Sequence, residues 1–358
     1  MKVLLLGEFS GLHKNLKEGL EEHGVEVTLA ASGDGWKKIG CDISLGSEKS
    51  GIVGKIEKIK NILFAIPKLK GFDVVQLISP IIFPKTLGLN RLLIRYIISR
   101  NNKVFLVGAG ATSANSIIAD FTEKEFKYPQ LFENIKKSSP EIWSQGTAGR
   151  RYNRWLIRQV NGYIPIMYEY AEGFRRHDSS KLCETIPIPI NIDKVKPFEN
   201  RAYGKIVIFH GLNREGVKGT PLIREAMENI QKRYPDEVEC VIKGKMALDD
   251  YLKYLESVNV VIDQAYSVSA GVNALYNMSM GKVVLGGGDQ EFLDEMGVDE
   301  SPLIPIYPSV KDIEYKLERI IKDKHFLAEH GRRSRKFVED HHDYRNIAKK
   351  YLSAWERY

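Results

Sequence analysis

The sequence predicts an α/β protein of two domains built on parallel sheets. Three observations carry that prediction. The chain has 358 residues, more than one core usually organises. Short apolar runs alternate with stretches of helical periodicity along its length, the order that lays helices over parallel strands. Several of those runs end in glycine-rich or polar loops that lead into a helix, the place where such folds gather ligand-facing residues.

Hydrophobic residues make up 43% of the chain, enough for ordinary cores. Residues 1–7 enter a strand at once, so no cleavable leader is expected. No apolar run approaches the roughly eighteen residues that span a bilayer. Cys41, Cys183 and Cys240 stand far apart without CxxC spacing, which fits small core residues in a reducing cytoplasm. The net charge of +7 is uneven. Residues 1–200 hold 29 Lys and Arg against 21 Asp and Glu, and residues 51–100 hold nine against two. Such asymmetry points the first half toward an anionic partner: a membrane surface, a phospholipid-linked substrate or nucleic acid.

In the first half, residues 2–7 predict a buried strand, 7–13 a loop, 15–23 an amphipathic helix and 25–31 a second strand. This βαβ unit puts Gly7, Glu8, Gly11 and His13 at a strand end, where they could touch an acceptor or merely cap the helix. The loop lacks GxGxxG spacing, so no dinucleotide fingerprint is present. Residues 52–69 carry apolar positions at helical spacing with lysines between them, and residues 92–100 repeat the pattern. Two readings stand: helices on the sheet with a solvated lysine face, or a basic amphipathic surface against anionic lipid through residues 52–100. Residues 72–77 and 104–107 predict strands, followed by the loops at Ser79-Pro80 and 108–116. Residues 121–159 read as an excursion plus a helix, with Arg150, Arg151, Arg154 and Arg158 around Trp155. Residues 162–167 predict a strand, 168–176 a helix and 184–190 another strand. The polar stretch 194–203 marks a domain boundary.

In the second half, residues 205–210 begin a new sheet and a loop rich in glycine and charge follows at 211–220. The helix at 221–232 should take Thr220 as its cap and Pro221 at its first position. Arg214 and Lys218 in that loop could neutralise a diphosphate without a metal, although a solvated pair of cations would look the same. Strands are expected at 238–242, 258–263 and 303–306, and helices at 248–255, 310–322 and from 325 to the end. Residues 267–291, SVSAGVNALYNMSMGKVVLGGGDQE, form the centre of this half. Ser269, Ala270 and Gly271 open a helix, and Gly286, Gly287 and Gly288 end a strand. A helix start and a glycine loop at a strand end are backbone devices that hold phosphate.

With these segments in order, the chain resembles the GT-B glycosyltransferases, specifically the family 4-like group. IPIPINID at 186–193 is similar to that family's strand-end segment before its linker. GLNREGVKG at 211–219 is similar to its basic loop, and MSMGKVVLGGGDQE at 278–291 to its MACGxPVVA…GGxxE segment. GRRSRKFVEDHHDYRNIAKKYL at 331–352 fits its terminal helices. The match covers about residues 160–358 and is topological before that. The resemblance implies two facing Rossmann-like domains: residues 1–195 on the acceptor side, 196–340 binding the nucleotide sugar, and 341–358 a helix returning to the first domain. It implies that Arg214 and Lys218 bind the diphosphate. Glu291, Gly287 and Gly288 would lie by the donor, Gly211 and Asn213 in its loop, and backbone N–H groups near Ala270 and Gly271 would cradle phosphate. The family's paired glutamates are absent, because Val268 and Tyr276 stand at those positions. Asn273, Tyr276 or Asp263 would then serve the ribose, though Asp263 could equally cap a turn.

The resemblance further implies transfer with retention at the anomeric carbon, without a required metal or other cofactor, the nucleotide sugar being a co-substrate. The acceptor would be a glycan or lipid-linked molecule, as in surface polysaccharide synthesis. His13, Asp120 and His210 are the available candidates for a base, each with a plain structural alternative. His341-His342 has no third metal ligand in view. Competing readings are a sugar-nucleotide epimerase of the same fold and a non-catalytic sugar-binding subunit. Nucleic acid is not an expected partner, since the basic residues are spread over amphipathic helices.

Overall fold

The computed structural model describes residues 1–34, 39–85, 88–110, 116–138, 146–177, 179–212, 215–244, 246 and 248–358. Among them lie two sheets, both wholly parallel. The first takes β1 (Lys2–Leu6), β2 (Glu26–Ala31), β3 (Ile43–Ser44), β4 (Val74–Leu77), β5 (Lys103–Gly108) and β6 (Gly162–Pro165) in the order β3-β2-β1-β4-β5-β6. The second takes β7 (Ile206–Gly211), β8 (Val238–Lys243), β9 (Val260–Ile262), β10 (Val283–Gly286) and β11 (Ile304–Pro305) in the order β11-β10-β9-β7-β8. Strands β1, β4, β5, β6 and β10 are almost entirely buried, because helices cover both faces of a parallel sheet. Each order reverses once, between β1 and β4 and between β7 and β9, and at such reversals the strand-end loops part to leave a crevice.

The helices are α1 (Leu12–Glu22), α2 (Gly51–Ala65), α3 (Leu89–Arg100), α4 (Ser116–Lys124), α5 (Pro129–Ser138), α6 (Gly146–Gln159) and α7 (Tyr168–His177). The second half adds α8 (Glu215–Lys218), α9 (Thr220–Arg233), α10 (Leu248–Leu255), α11 (Val272–Ser279), α12 (Gln290–Met296), α13 (Val310–Lys322), α14 (His325–His341) and α15 (Tyr344–Arg357).

Three local expectations change. Among the described residues of 121–159 there is not one helix after an excursion but three helices, the end of α4, α5 and α6. The stretch 184–190 is extended but forms no ladder strand: Ile186 N donates to Pro165 O of β6 at 2.9 Å, and the bridge just before it sets Leu182 opposite Tyr163. Pro187 and Pro189 deny it the N–H donors a central strand needs. Thr220 is not the cap of α9: Gly219, with φ 76°, takes that place, and the Thr220 hydroxyl lies 2.9 Å from His210 Nε2.

The chain's last helix returns to the first domain as expected. α15 packs on α1 and on the β1–β2 side of the sheet through Ile347, Tyr351 and Trp355, and Trp355 Nε1 donates to Gln76 Oε1 at 3.0 Å. Gly19 of α1 permits this approach, since a Cβ there would stand 2.2 Å from the Tyr344 carbonyl oxygen. Asp343 caps α15 by accepting from the Arg345 and Asn346 N–H groups at 2.8 and 3.4 Å. The two chain crossings between the domains run side by side. Ile190 N donates to His342 O at 2.8 Å and Tyr344 N to Ile190 O at 3.1 Å. Arg335 of α14 donates to the carbonyls of Ile192, Val195 and Ser279, tying the linker to the end of α11.

Candidate functional site

The crevice of the second sheet opens between β7 and β9, and the residues that line it arrive from the loops after both. Lys218 ends α8 beyond β7, and Asp263 follows β9 directly. Lys218 Nζ donates to Asp263 Oδ1 at 2.7 Å, and Asn273 Nδ2 from the first turn of α11 donates to the same oxygen at 2.7 Å. Asp263 is only 3% exposed. Burial alone would raise its carboxyl, but the charge and hydrogen bond of Lys218, helped by Asn273, hold it below the usual carboxylate range. The ammonium keeps two further N–H donors.

Gly271 forms the N-cap of α11, and a Cβ on it would meet Asp263 Oδ2 at 4.0 Å and Gln264 Nε2 at 3.8 Å. Among the described residues, the first-turn N–H groups of Val272, Asn273 and Ala274 have no carbonyl partner, as at any helix start. A cation and the positive end of a helix therefore converge at the switch point of the sheet. That combination suits an anion.

The surrounding polar side chains are tied to one another. Asn273 Oδ1 accepts from Tyr251 OH at 2.6 Å, and Asn277 Nδ2 donates to that hydroxyl at 3.1 Å. A cavity of about 560 Å³ adjoins α10 at the end of β8, lined by Lys243, Met246, Asp250, Lys253, Tyr254 and Ser257. Neither Lys218 nor Asp263 lines it.

The glycine loop at the end of β10 is fixed by backbone contact. A Cβ on Gly287 would stand 2.5 Å from Val268 O and 2.8 Å from Ser269 N. Gly288, with φ 114°, donates its N–H to Val268 O at 2.6 Å. These glycines let one loop lie flat on another.

The first domain grips the same loop from the other side. Glu169, in the first turn of α7, accepts at Oε1 from Ser267 Oγ at 2.9 Å, Val268 N at 2.8 Å and Ser269 N at 3.0 Å. Its Oε2 and the Ser269 hydroxyl are buried without a partner. A carboxylate of the first domain thus reaches the backbone at positions 268 and 269 of the second. Sequence reasoning passed over Glu169 because it reads as an ordinary acidic residue at a helix start.

Glu291, in the first turn of α12, faces Lys127, which donates to its two carboxylate oxygens at 2.8 and 2.9 Å and lies 2.6 Å from Asp289 Oδ2. Burial disfavours the Lys127 charge, but these carboxylates outweigh it and raise the ammonium above its usual range. Tyr128 OH donates to Asp289 at 3.0 Å. Lys127 and Tyr128 precede α5 in the first domain, so this is a second bridge across the cleft.

On the facing side, Gly7 (φ 88°) carries the chain out of β1 against the loop after β4, where a Cβ would meet Ile78 Cγ2 at 2.3 Å. Glu8 folds back over the start of α1, accepting from Gly11 N at 2.9 Å and Lys14 N at 2.8 Å. Burial, aided by the charge of Asp34 and opposed by those N–H groups, pushes its carboxyl up to about 7. His13 donates Nδ1–H to Gly7 O at 2.7 Å, and burial drives its pKa down to about 4, so the ring is neutral. Tyr276 of α11 comes down on this loop: its hydroxyl accepts from Asn15 Nδ2 at 3.2 Å and lies 3.5 Å from where a Gly11 Cβ would be.

The structure thus gathers Lys218, Ser269, Ala270, Gly271, Asn273, Gly287 and Gly288 around one loop, with Gly211 at the end of β7 beneath it. Tyr276 points to the Gly7–His13 loop instead. Asn213 and Arg214, and the loop at 111–115, lie outside the described residues. The remaining candidate bases are engaged. His210 is fully buried between Ile262 O and Thr220 Oγ1, with its pKa lowered by burial to about 4. Asp120 pairs with Arg150 at 2.5 Å. His342 donates Nδ1–H to Ile188 O at 2.9 Å, and no cluster of three or more His, Cys, Asp or Glu suited to a metal occurs among the described residues.

No family model matches the sequence, and no curated protein is similar to it in sequence. Solved structures are similar in fold. The sucrose-phosphate synthase of Thermosynechococcus elongatus superposes with a TM-score of 0.65 at 13% identity, over 100% of this chain and 99% of that one. Anabaena HepE in complex with UDP and glucose gives 0.64 at 12% identity, with both chains covered fully. The UDP-GlcNAc 2-epimerase of Neisseria meningitidis bound to UDP-GlcNAc gives 0.52 at 12% identity, again over 100% of each chain. Two parallel sheets of six and five strands, facing across a cleft and braced by a returning terminal helix, give this chain the GT-B fold.

Proposed function

We propose that this chain is a glycosyltransferase that moves a sugar from a nucleotide-diphosphate sugar, of the UDP class, to a glycan or lipid-linked acceptor. The observation that carries the reading is the convergence of Lys218 with the N-terminus of α11 at the β7/β9 switch point. A diphosphate leaving group placed there meets an ammonium and a row of unpaired N–H groups, and such preorganised charge supplies much of the stabilisation that glycosyl transfer needs. Residues 196–340 then hold the donor and residues 1–195 the acceptor, with the Gly7–His13 loop facing it. Arg214 would add a second cation, and Glu291 would lie beside the donor sugar. Retention by front-face attack, in which a leaving-group oxygen takes the acceptor's proton, agrees with neutral, buried His13 and His210. That scheme asks for no dedicated base.

Calorimetry with UDP tests the site. Lys218→Ala should weaken binding at least tenfold, the scale of one lost charge-assisted hydrogen bond to phosphate (about 1.5–3 kcal/mol). Unchanged affinity would remove the assignment. The similarity to a UDP-GlcNAc 2-epimerase favours a second reading, a sugar-nucleotide epimerase. Incubation with a panel of UDP-sugars and no acceptor separates the two, since only the epimerase yields an epimerised donor.

A further inference from the structure

The helix α2 is turned outward. Its contact with the rest of the chain runs through Gly54, Glu57, Asn61, Ile62 and Ala65. A Cβ on Gly54 would stand 2.0 Å from Lys49 O, Asn61 Nδ2 donates to Gly46 O at 2.7 Å, and Ile62 and Ala65 enter the core beneath. The opposite side carries Ile52, Ile56, Ile59 and Leu63 at the i, i+4, i+7, i+11 spacing of a single helical stripe. These side chains are 76, 62, 46 and 59% exposed, and Val53 and Phe64 beside them are 59 and 69% exposed. A contiguous apolar face of this kind on an otherwise well-packed protein marks a surface that something covers.

The charges around the stripe identify the cover. On a helical wheel of 3.6 residues per turn, exposed Lys55 falls on one flank of the stripe and exposed Lys60 on the other. Lys60 Nζ lies 5.8 Å from the Phe64 ring centroid, its stem lying along apolar surface with the charge at the edge. α3 packs on the same face of the sheet through Leu93, Ile94 and Ile97 and adds exposed Arg91, Leu92 and Arg95. The one carboxylate of α2, Glu57, is satisfied by Ser47 and Lys49. Over residues 51–100 the balance is nine cations to two carboxylates. A second copy of this face would bring like charges together, and nucleic acid has no use for a stripe of isoleucines. An anionic bilayer satisfies both, with apolar side chains entering the headgroup boundary and lysines meeting lipid phosphates.

We infer that α2, with the adjoining part of α3, is the surface by which this protein lies on an anionic membrane. No helix among the described residues is long and apolar enough to cross one, so the association is peripheral. It would put the first domain, the acceptor side of the proposed reaction, against the bilayer and so favours the lipid-linked acceptor. The surface itself stands on α2 and not on the donor site.

Co-sedimentation of the full chain with vesicles tests it, using phosphatidylcholine alone against phosphatidylcholine with 30 mole per cent phosphatidylglycerol, as probes of stated charge. Binding should require the anionic lipid and weaken with salt. Lys55→Glu/Lys60→Glu should reduce partitioning about twenty-five-fold, at roughly a fivefold loss per cation near the surface. Ile56→Ser/Ile59→Ser/Leu63→Ser should reduce it comparably at constant charge. UDP affinity, measured in solution on the same variants, reports folding and is expected to stay at the wild-type value, so failure of the membrane inference and failure of the donor reading are distinguishable. Equal binding by wild type and both variants overturns the inference. So does absence of binding to the anionic vesicles, or a wild-type dimer in solution that the serine variant converts to monomer.

Discussion

Replacing Lys218 with alanine should unsettle the second domain in a way that depends on pH. Asp263 is almost wholly buried, and its acceptor Oδ1 has two donors, Lys218 and Asn273. Without the ammonium the carboxylate keeps only the Asn273 amide while its desolvation persists. Removing one partner of a buried pair costs about 3–5 kcal/mol. In the wild type the Asp263 pKa lies below its unfolded value, so its stabilisation is present above the unfolded pKa and fades as pH falls through the folded one. In Lys218→Ala burial is largely unopposed and the folded pKa rises above the unfolded value. The loss should then grow as pH rises and the protein is forced to keep a bare buried charge. Chemical denaturation at pH 5 and pH 8, followed by far-UV circular dichroism and by hydrogen exchange in β9, measures both. The double variant Lys218→Met/Asp263→Asn should recover most of the stability but not UDP affinity, separating packing from ligand binding. A loss below about 1 kcal/mol, equal at the two pH values, would refute the reasoning.

Other perturbations follow from the same geometry. Glu169→Ala strands the Val268 and Ser269 N–H groups in the cleft, at about 1–3 kcal/mol for buried donors left unmade. Exchange of those two amides should accelerate and the scattering radius increase; unchanged exchange would deny Glu169 its bridging role. Glu8 has a folded pKa near 7 against an ordinary 4.5, so its contribution is full below about 4.5 and is lost as pH rises through 7, roughly 3 kcal/mol in all. Buried His13, His210 and His342 pull the other way at lower pH, so the test is the difference between Glu8→Gln and wild type in urea from pH 5 to 8. A difference that does not move in favour of the variant as pH rises counts against it. Gly19→Val would drive a side chain into the Tyr344 carbonyl and should loosen α15 by about 1–3 kcal/mol. Faster proteolysis near residues 344–357 is the readout, and an undisturbed α15 would contradict the close approach.

Much of this was legible in the sequence because the relevant signals are local. Apolar runs ending in Gly7, Gly211 and Gly286 gave the strands, and helical periodicity gave α13 to the residue. What the sequence withheld depends on pairing across distance. Glu169 and its three donors are 98 to 100 positions apart, and nothing in α7 marks it beyond a helix start. Periodicity located the stripe of α2 but not its direction, because a period states which residues share a face and not which face meets the core. Gly287 and Gly288 read as a phosphate loop, whereas their immediate task is to admit the backbone of 268–269. Pro187 and Pro189 carried enough information to deny the strand at 184–190, but Ile186, Ile188 and Ile190 around them obscured it.

The paired crossings at Ile190 and His342–Tyr344 set what the two domains can do relative to each other. A single linker would act as a swivel. Two chains laid side by side and laced by Ile190 N–His342 O and Tyr344 N–Ile190 O act as a strap, which bends readily and resists torsion. Arg335 shortens the free length of that strap by holding Ile192 and Val195 to the end of α11. The crossing therefore favours bending over twisting, while Glu169 and Lys127 of the first domain hold the 267–269 loop and α12 of the second.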